Sequence, residues 1–415
     1  MTAGTTSRVP THDRGRSALG RLIPFAADEF ARDHWAHTPV VTRAADLRGD
    51  LFDLFGEGSV DELVSRRGLR APFLRVAKNG RTLGDREFTQ GGGVGASVTD
   101  QVSDDKILAL FADGATIVLQ GLHRTWGPLI DFTQQLAEEL GHPVQANAYV
   151  TPSQNTGFSD HYDVHDVFVL QMAGEKRWRV RPPVHHSPLR DEPWTDHRAE
   201  VEEAGRRAAD HEFTLRAGDV LYLPRGWVHS ATALGGVSTH LTLGVHVWTR
   251  RHVADELVKV ALAEASRDES VRASLDIAPH GFDHEAIAPD VELVRAALVR
   301  ALAKVDVATV VDALEERARG AQRPAPISPL AQVVAAETLR PETALRLRPH
   351  VAARLVPSGD GPARLRSRLA DFPVESHDVG TFVALVAGGV LRADMVGLEL
   401  SRRLMLAGLL VVADD

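Results

Sequence analysis

Apolar residues change their spacing along the chain, and those changes divide it. Between residues 126 and 141, Leu129, Phe132, Leu136 and Leu140 recur at three- and four-residue intervals, the period of one helix face. From 145 to 248 the period falls to two. Gln145, Asn147, Tyr149 and Thr151 alternate with Ala146, Ala148 and Val150. Ser238, His240, Thr242, Gly244 and His246 alternate with Leu241, Leu243, Val245 and Val247. Successive strand residues point to opposite faces, so each segment carries one polar face. Residues 167–170 and 220–223 are continuous apolar runs, as expected of buried strands, and Gly174-Glu175 reads as a hairpin turn ahead of Trp178 and Val180. Short strands that share a polar face predict a barrel or sandwich with a functional interior.

The flanks read differently. Residues 21–70 are mixed and helical, and 71–125 alternate apolar runs with Gly-rich loops such as Gly91-Gly92-Gly93. Helical spacing returns at 252–265 and 290–317. Residues 319–329, rich in Pro, Gly and Arg, are expected to be a linker. The final stretch is expected to hold two short helices, 379–388 and 392–408, followed by an apolar run at 409–412.

Length and composition narrow the class. A chain of 415 residues predicts two or three domains. Hydrophobic residues at 44% and charged residues at 25% fit a soluble globular protein. The first 20 residues are polar, carry Arg8, Arg14 and Arg16, and lack an apolar stretch, so they read as a disordered leader and not a signal peptide. The longest apolar run, 404–412, is far too short to span a membrane. A cytoplasmic protein with no membrane partner is therefore expected. A net charge of −9 argues against a general nucleic-acid binder and makes DNA an unlikely partner. The absence of cysteine means that any metal must be held by His and carboxylate.

Candidate chemistry centres on residues 159–170, which open Ser-Asp-His161-Tyr-Asp163-Val-His165-Asp166. On a strand, His161 and Asp163 would project side by side. A third ligand has to come from elsewhere. Residues 218–229 run from a Gly-Asp turn through an apolar strand and a Pro-x-Gly reversal to His229, which the reversal would aim inward. Two His and one carboxylate leave three positions open on a metal, the arrangement that suits non-haem Fe(II) holding an oxidisable co-substrate and O2. A closed zinc site would take four ligands, usually including sulfur. His165 shares the face of Asp163 and competes as a ligand, His246 reads as a satisfied interior histidine, and His185-His186 reads as solvated.

Gly218, Pro224, Gly226 and His229 match the second signature motif of the cupins. The run from His161 through Asp166-Val-Phe-Val-Leu-Gln171 to Gly174-Glu-Lys176-Arg-Trp178 resembles the JmjC subgroup, above all the bacterial ribosomal oxygenases, which are 2-oxoglutarate-dependent hydroxylases of ribosomal proteins. The resemblance is strongest over about 145–248 and extends loosely to Phe30, Trp35 and Pro39 near the amino terminus. It implies an α+β fold: a double-stranded β-helix (cupin/JmjC jelly-roll) barrel, then a helical dimerisation region and a winged-helix-like C-terminal domain. In this chain these become a leader at 1–20, a catalytic domain at 21–250, a dimerisation region at 251–318 and a terminal domain at 330–415. The resemblance further implies that His161, Asp163 and His229 bind and use Fe(II). Lys176 would pair with the distal carboxylate of 2-oxoglutarate, Thr242 and Asn147 would help hold that co-substrate, and Tyr149 would face the protein substrate. Gly244 departs from the pattern, because histidine-hydroxylating members are expected to carry a serine there that touches the target residue.

The expected activity is thus hydroxylation of a ribosomal-protein side chain by a homodimeric enzyme, with 2-oxoglutarate and O2 consumed. Beside it stand a cupin that holds another divalent metal with no oxygen chemistry, and two further alternatives. One is a JmjC oxygenase acting on another peptide or a small metabolite, or demethylating. The other is a non-enzymatic cupin that senses a ligand and binds DNA. Residues 317–369 hold ten arginines against Glu337, Glu342 and Asp360, a bias that reads either as a solvated face or as a contact for RNA or an acidic partner.

Overall fold

A computed structural model describes residues 17–413, apart from 79, 154–158, 278–280, 282 and 359–360. Most of the expected leader, 1–16, lies outside the described residues. The chain divides into two compact units, Met1–Val247 and Trp248–Asp415.

In the first unit the strands are β1 (Val40–Thr42), β2 (Leu74–Lys78), β3 (Arg81–Thr82), β4 (Thr89–Gln90), β5 (Gln101–Val102), β6 (Thr116–Leu119), β7 (Val144–Thr151), β8 (Asp166–Arg181), β9 (His211–Arg216), β10 (Val220–Leu223) and β11 (Val228–Val245). Nine of them form one antiparallel sheet in the order β1-β10-β8-β11-β7-β6-β2-β3, with β9 added to β8, while β4 pairs only with β5. The two-residue alternation is realised as expected. Ala146, Ala148, Val150, Leu241, Leu243 and Val245 are buried in a core with Phe30, Phe55 and Phe132, while Tyr149, Thr151, His240 and Thr242 take the other face, around a cavity. A second core packs Val167, Val169, Trp178, Val180, Leu215, Leu221 and Leu223.

Gly174 is not a hairpin turn. β8 runs through it unbroken, and the two halves of β8 pair with the two halves of β11 in opposite order, Arg181 with Val228 and Asp166 with Val245. Both strands are irregular at one place: Gly174 has φ +65°, and the β11 register slips between Leu234 and His240. A Cβ on Gly174 would lie 2.2 Å from the carbonyl oxygen of Val237. The glycine therefore marks a close approach of two backbones within a bent ladder.

The helix Gly127–Leu140 buries Leu129, Phe132 and Leu136, has Pro128 in its first turn and ends at Gly141 in the left-handed region. Its Glu139 carboxylate accepts from Ser17 Oγ and from the Ala18 and Leu19 N–H groups, and Ala18 and Leu19 are buried. The disordered reading of 17–20 is corrected accordingly: this short segment is tied down by a charged acceptor and two apolar side chains.

The second unit opens with helices Arg250–Ala265, His284–Leu302 and Val307–Ala321. The first two pack through small residues, Ala261 and Ala265 with Ala297 and Ala301. The expected single stretch at 290–317 is interrupted after Leu302, and the expected linker begins later than 319, because Arg319–Ala321 finish a helix in which Arg319 pairs with Glu316. The remainder joins helices Pro329–Glu337, Val379–Val386, Ala393–Val396 and Leu398–Leu406 to two three-stranded antiparallel sheets. Gly397, at φ +91°, divides the expected 392–408 helix, and Leu410–Val412 is a strand. Several arginines of the basic segment are engaged inside this unit. Arg354 pairs with Asp312 and Glu315, Arg364 and Arg366 pair with Asp371, and Arg348 and Arg368 donate to backbone carbonyls. No helix among the described residues is long and apolar enough to cross a membrane.

Candidate metal and co-substrate site

His161 does not lie in a long ladder: of the strand expected over 159–170, only the part from Asp166 onward is ladder, as the start of β8. His161 forms one isolated bridge with His229, near the start of β11: His161 N–H donates to His229 C=O at 3.1 Å and His229 N–H to His161 C=O at 2.8 Å. The Pro-x-Gly reversal is locked to the same segment. Gly226 N–H donates to Asp163 C=O at 3.0 Å, and the buried Asp166 carboxylate accepts from Tyr222 Oη at 2.5 Å and from Arg225 N–H at 3.2 Å. Gly226 has φ +86°, and a Cβ there would approach His185 C=O to 2.8 Å, so the turn needs glycine. At the other end of β10, Asp219 accepts from Ala44 N–H, Arg216 N–H and Arg43, which fixes the strand to its neighbours.

Backbone pairing thus brings His161, Asp163 and His229 together, with one ligand atom from each lying within 4.8 Å of the others. His229 Nε2 is 3.8 Å from Asp163 Oδ2. His161 Nδ1 is 2.8 Å from Ser159 C=O, and His229 Nδ1 is 2.9 Å from Trp227 C=O. A carbonyl can only accept, so each Nδ1 carries a proton and Nε2 is the nitrogen left to face a metal. Burial, reinforced by His161, pushes His229 down to about 4, which keeps the ring neutral as a ligand must be. Burial also acts to raise the Asp163 carboxyl, but His165, His229 and His161 together hold it below its ordinary value. Two imidazole nitrogens and an ionised carboxylate are the donor set of a mononuclear Fe(II) site, so the residues present fit that metal.

The triad opens onto a cavity of about 270 Å³ that is also lined by Tyr149, Thr151, Lys176, His240 and Thr242. Lys176 is 3% exposed, and its Nζ lies 3.2 Å from Thr151 Oγ1 and 3.2 Å from His240 Nδ1. Burial lowers its pKa to about 7. Among the described residues no carboxylate pairs with it, so a bound carboxylate would supply the missing charge. Tyr149 is pushed up to about 12, first by burial and then by Asp163, and stays a neutral phenol.

Not every expected residue reaches the cavity. Asn147 is absent from the lining, and its Oδ1 accepts the Gly121 N–H at 3.1 Å. His165 stands outside the triad, with Nε2 3.3 Å from Gln145 Nε2 and its ring edge-on to His246. His185 is not simply solvated: it pairs with Glu192 at 3.0 Å and stacks on His197. The sequence reading overlooked His240, Thr151 and Trp178. The first two lie on the polar faces already recognised by alternation, so position alone marked them without marking a role.

Residues 128–253 match the family model described as JmjC domain. Ribosomal oxygenase 1 of Gallus gallus is 28% identical over 309 residues, which is 72% of this chain and 49% of that protein. Ribosomal oxygenase 2 of Rattus norvegicus is 36% identical over 251 residues, 58% of this chain and 50% of that protein. The chain therefore spans no more than about half the length of these curated relatives. Escherichia coli ribosomal oxygenase YcfD, solved with cobalt and 2-oxoglutarate, superposes with a TM-score of 0.52 at 16% identity, covering 94% of this chain and 99% of that one, and so shares its fold. Residues 128–253 thus carry the JmjC-domain match, and the chain is similar to the ribosomal oxygenases in sequence and in fold.

Proposed function

We propose that the chain is a 2-oxoglutarate- and Fe(II)-dependent hydroxylase that acts on a side chain of a ribosomal protein. The observation that carries this reading is one cavity holding both a His-Asp-His triad and a buried lysine with no carboxylate partner among the described residues. The names of the relatives support the ribosomal target, and the cobalt and 2-oxoglutarate held by the E. coli protein support the co-substrate. A ribosomal target goes with a cytoplasmic location.

When bound, Fe(II) would activate O2 and couple the oxidative decarboxylation of 2-oxoglutarate, to succinate and CO2, to insertion of one oxygen atom into a substrate C–H bond. His161, Asp163 and His229 would hold the metal through three positions and leave three for exchange. Lys176 would anchor the far carboxylate of the co-substrate by a charge-assisted hydrogen bond, and Thr242 lines the same cavity. Tyr149, a neutral phenol, can donate a hydrogen bond toward the substrate side. Val167, Val169 and Trp178 give the cavity its apolar walls beside these polar groups.

The exposed apolar residues of the second unit, among them Val258, Leu262, Val299 and Leu302, support a homodimer built through its helices, and the sheets and short helices of 330–415 are compatible with a winged-helix-like domain. The deciding experiment is anaerobic metal analysis joined to a 2-oxoglutarate turnover assay with ribosomal proteins as substrate. Succinate formed together with a one-oxygen mass increment on one protein supports the reading. Turnover without any modified ribosomal protein would move the substrate to another peptide or a metabolite.

A further inference from the structure

The acceptor side of the buried lysine is itself a built arrangement. In the β7–β11 ladder Tyr149 stands directly opposite His240, and the two rings stack with centroids 4.9 Å apart and planes at 2°. Trp178 also meets the histidine edge-on, with centroids 5.7 Å apart at 78°, and its own ring lies 5.9 Å from that of His229 in the triad. His240 is 5% exposed. Buried and packed against two aromatic neighbours, its ring has little freedom to turn, so Nδ1 has a fixed position.

That fixed atom lies 3.2 Å from Lys176 Nζ, and Thr151 Oγ1 lies at the same 3.2 Å. Thr151 is in turn fixed by Thr116, whose hydroxyl donates to it at 3.3 Å. An ammonium has three N–H groups and no acceptor of its own. Two are engaged by Thr151 and His240, and the third remains for a ligand in the cavity that all four residues line. A lysine stem carries several rotatable bonds, and ordering it costs rotamer entropy. Two rigid acceptors meet that cost before any ligand arrives.

We propose that His240 is a positioning residue whose Nδ1 lone pair, with Thr151 Oγ1, aims the Lys176 ammonium at the distal carboxylate of the co-substrate. This inference rests on the reading of the cavity as a 2-oxoglutarate site. Its requirement is that His240 stays neutral with its proton on Nε2. Burial, Lys176 and His229 all push its pKa well below the ordinary histidine value, which agrees. A merely space-filling ring would need no acceptor at that position, and phenylalanine would serve as well.

The test is calorimetric titration of 2-oxoglutarate into the Mn(II)-loaded full chain, beside pyruvate, which keeps the metal-binding 2-oxo acid and lacks the distal carboxylate. His240→Phe is expected to weaken 2-oxoglutarate about tenfold or more, the loss typical of one hydrogen bond to a charged group. The same variant should leave pyruvate and Mn(II) affinity within about twofold of wild type. His240→Asn, whose amide oxygen can accept, should recover most of the loss. The inference is overturned if His240→Phe binds 2-oxoglutarate as wild type does, if pyruvate weakens in proportion, or if His240→Asn is no better than His240→Phe. Failure of the wild-type chain to bind 2-oxoglutarate overturns instead the underlying reading of the cavity, and the inference with it.

Discussion

His161 and His229 are joined through their backbones, each donating its N–H to the other's carbonyl, at 3.1 and 2.8 Å. Sixty-eight positions separate them along the chain. The pair sets the spacing of two candidate metal ligands independently of their side chains. Each imidazole is then turned by a second backbone carbonyl, from Ser159 and Trp227. A ligand substitution should therefore remove the metal without unfolding the sheet. Asp163→Ala or His161→Ala should lower Fe(II) affinity and 2-oxoglutarate turnover by at least about 100-fold, since even the outer partners of such ligands are worth 10- to 100-fold. Metal stoichiometry and succinate formation measure the loss, and circular dichroism checks the fold. A variant at full turnover would refute the site.

The lysine predicts a pH dependence. Burial sets Lys176 at about 7 in the open cavity, and a bound carboxylate would return its pKa toward the ordinary range near 10.5. Below pH 7 the ammonium is already charged, so binding of the dicarboxylate is at full strength. Above pH 7 the open site has lost its proton and must regain it on binding. Affinity should fall by up to about tenfold per pH unit, with proton uptake visible as a buffer-dependent binding enthalpy. Lys176→Ala should weaken 2-oxoglutarate strongly and flatten the profile; an unchanged Kd would remove the lysine from this role.

Gly174 holds two bent strands in contact. Alanine there would place Cβ 2.2 Å from the Val237 carbonyl oxygen, at a φ of +65°. Backbone cannot move aside as a side-chain tip can. Gly174→Ala should cost about 2 kcal/mol or more, which lowers Tm by roughly 4–8 °C in a unit of this size. Thermal unfolding of the variant measures it.

Gly244 meets a softer neighbourhood. A Cβ would sit 3.0 Å from Gln145 Nε2 and 3.2 Å from His165 Cε1, both side-chain atoms. Gly244→Ser should displace the Gln145–His165 pair and cost about 1–2 kcal/mol at most, so the variant should fold. If this corner contacts the target residue, Gly244→Ser should change the ranking of substrate peptides while 2-oxoglutarate affinity holds. Equal effects on every peptide would assign Gly244 to packing alone.

The helices of the second unit leave Val299 61% exposed and Val258 52% exposed. If they pair two copies, Val299→Glu should shift the mass measured by light scattering from dimer to monomer. A wild-type chain that is monomeric at micromolar concentration would dismiss the dimer.

Much of this was legible in the sequence, for definite reasons. The two-residue period assigned Tyr149 and Thr242 to one face and Ala148 and Leu243 to the other, because pleating leaves a strand side chain only two directions. His161, Asp163 and His229 could be named because a metal without cysteine ligands needs this donor set and the Gly-Asp to Pro-x-Gly spacing offered the third member. What sequence could not supply was everything fixed by long-range pairing. A positive φ at Gly174 fits a turn and a bulge equally, and only the β8–β11 register showed a bulge. Asn147 stands on the expected polar face, yet Gly121 takes its carbonyl oxygen. His240 became meaningful only when its strand set it against Tyr149 and within reach of Lys176. Alternation is local and survives in any fold with this sheet. Which polar atom meets which depends on register and on competing partners, and those are settled only when the whole sheet has formed.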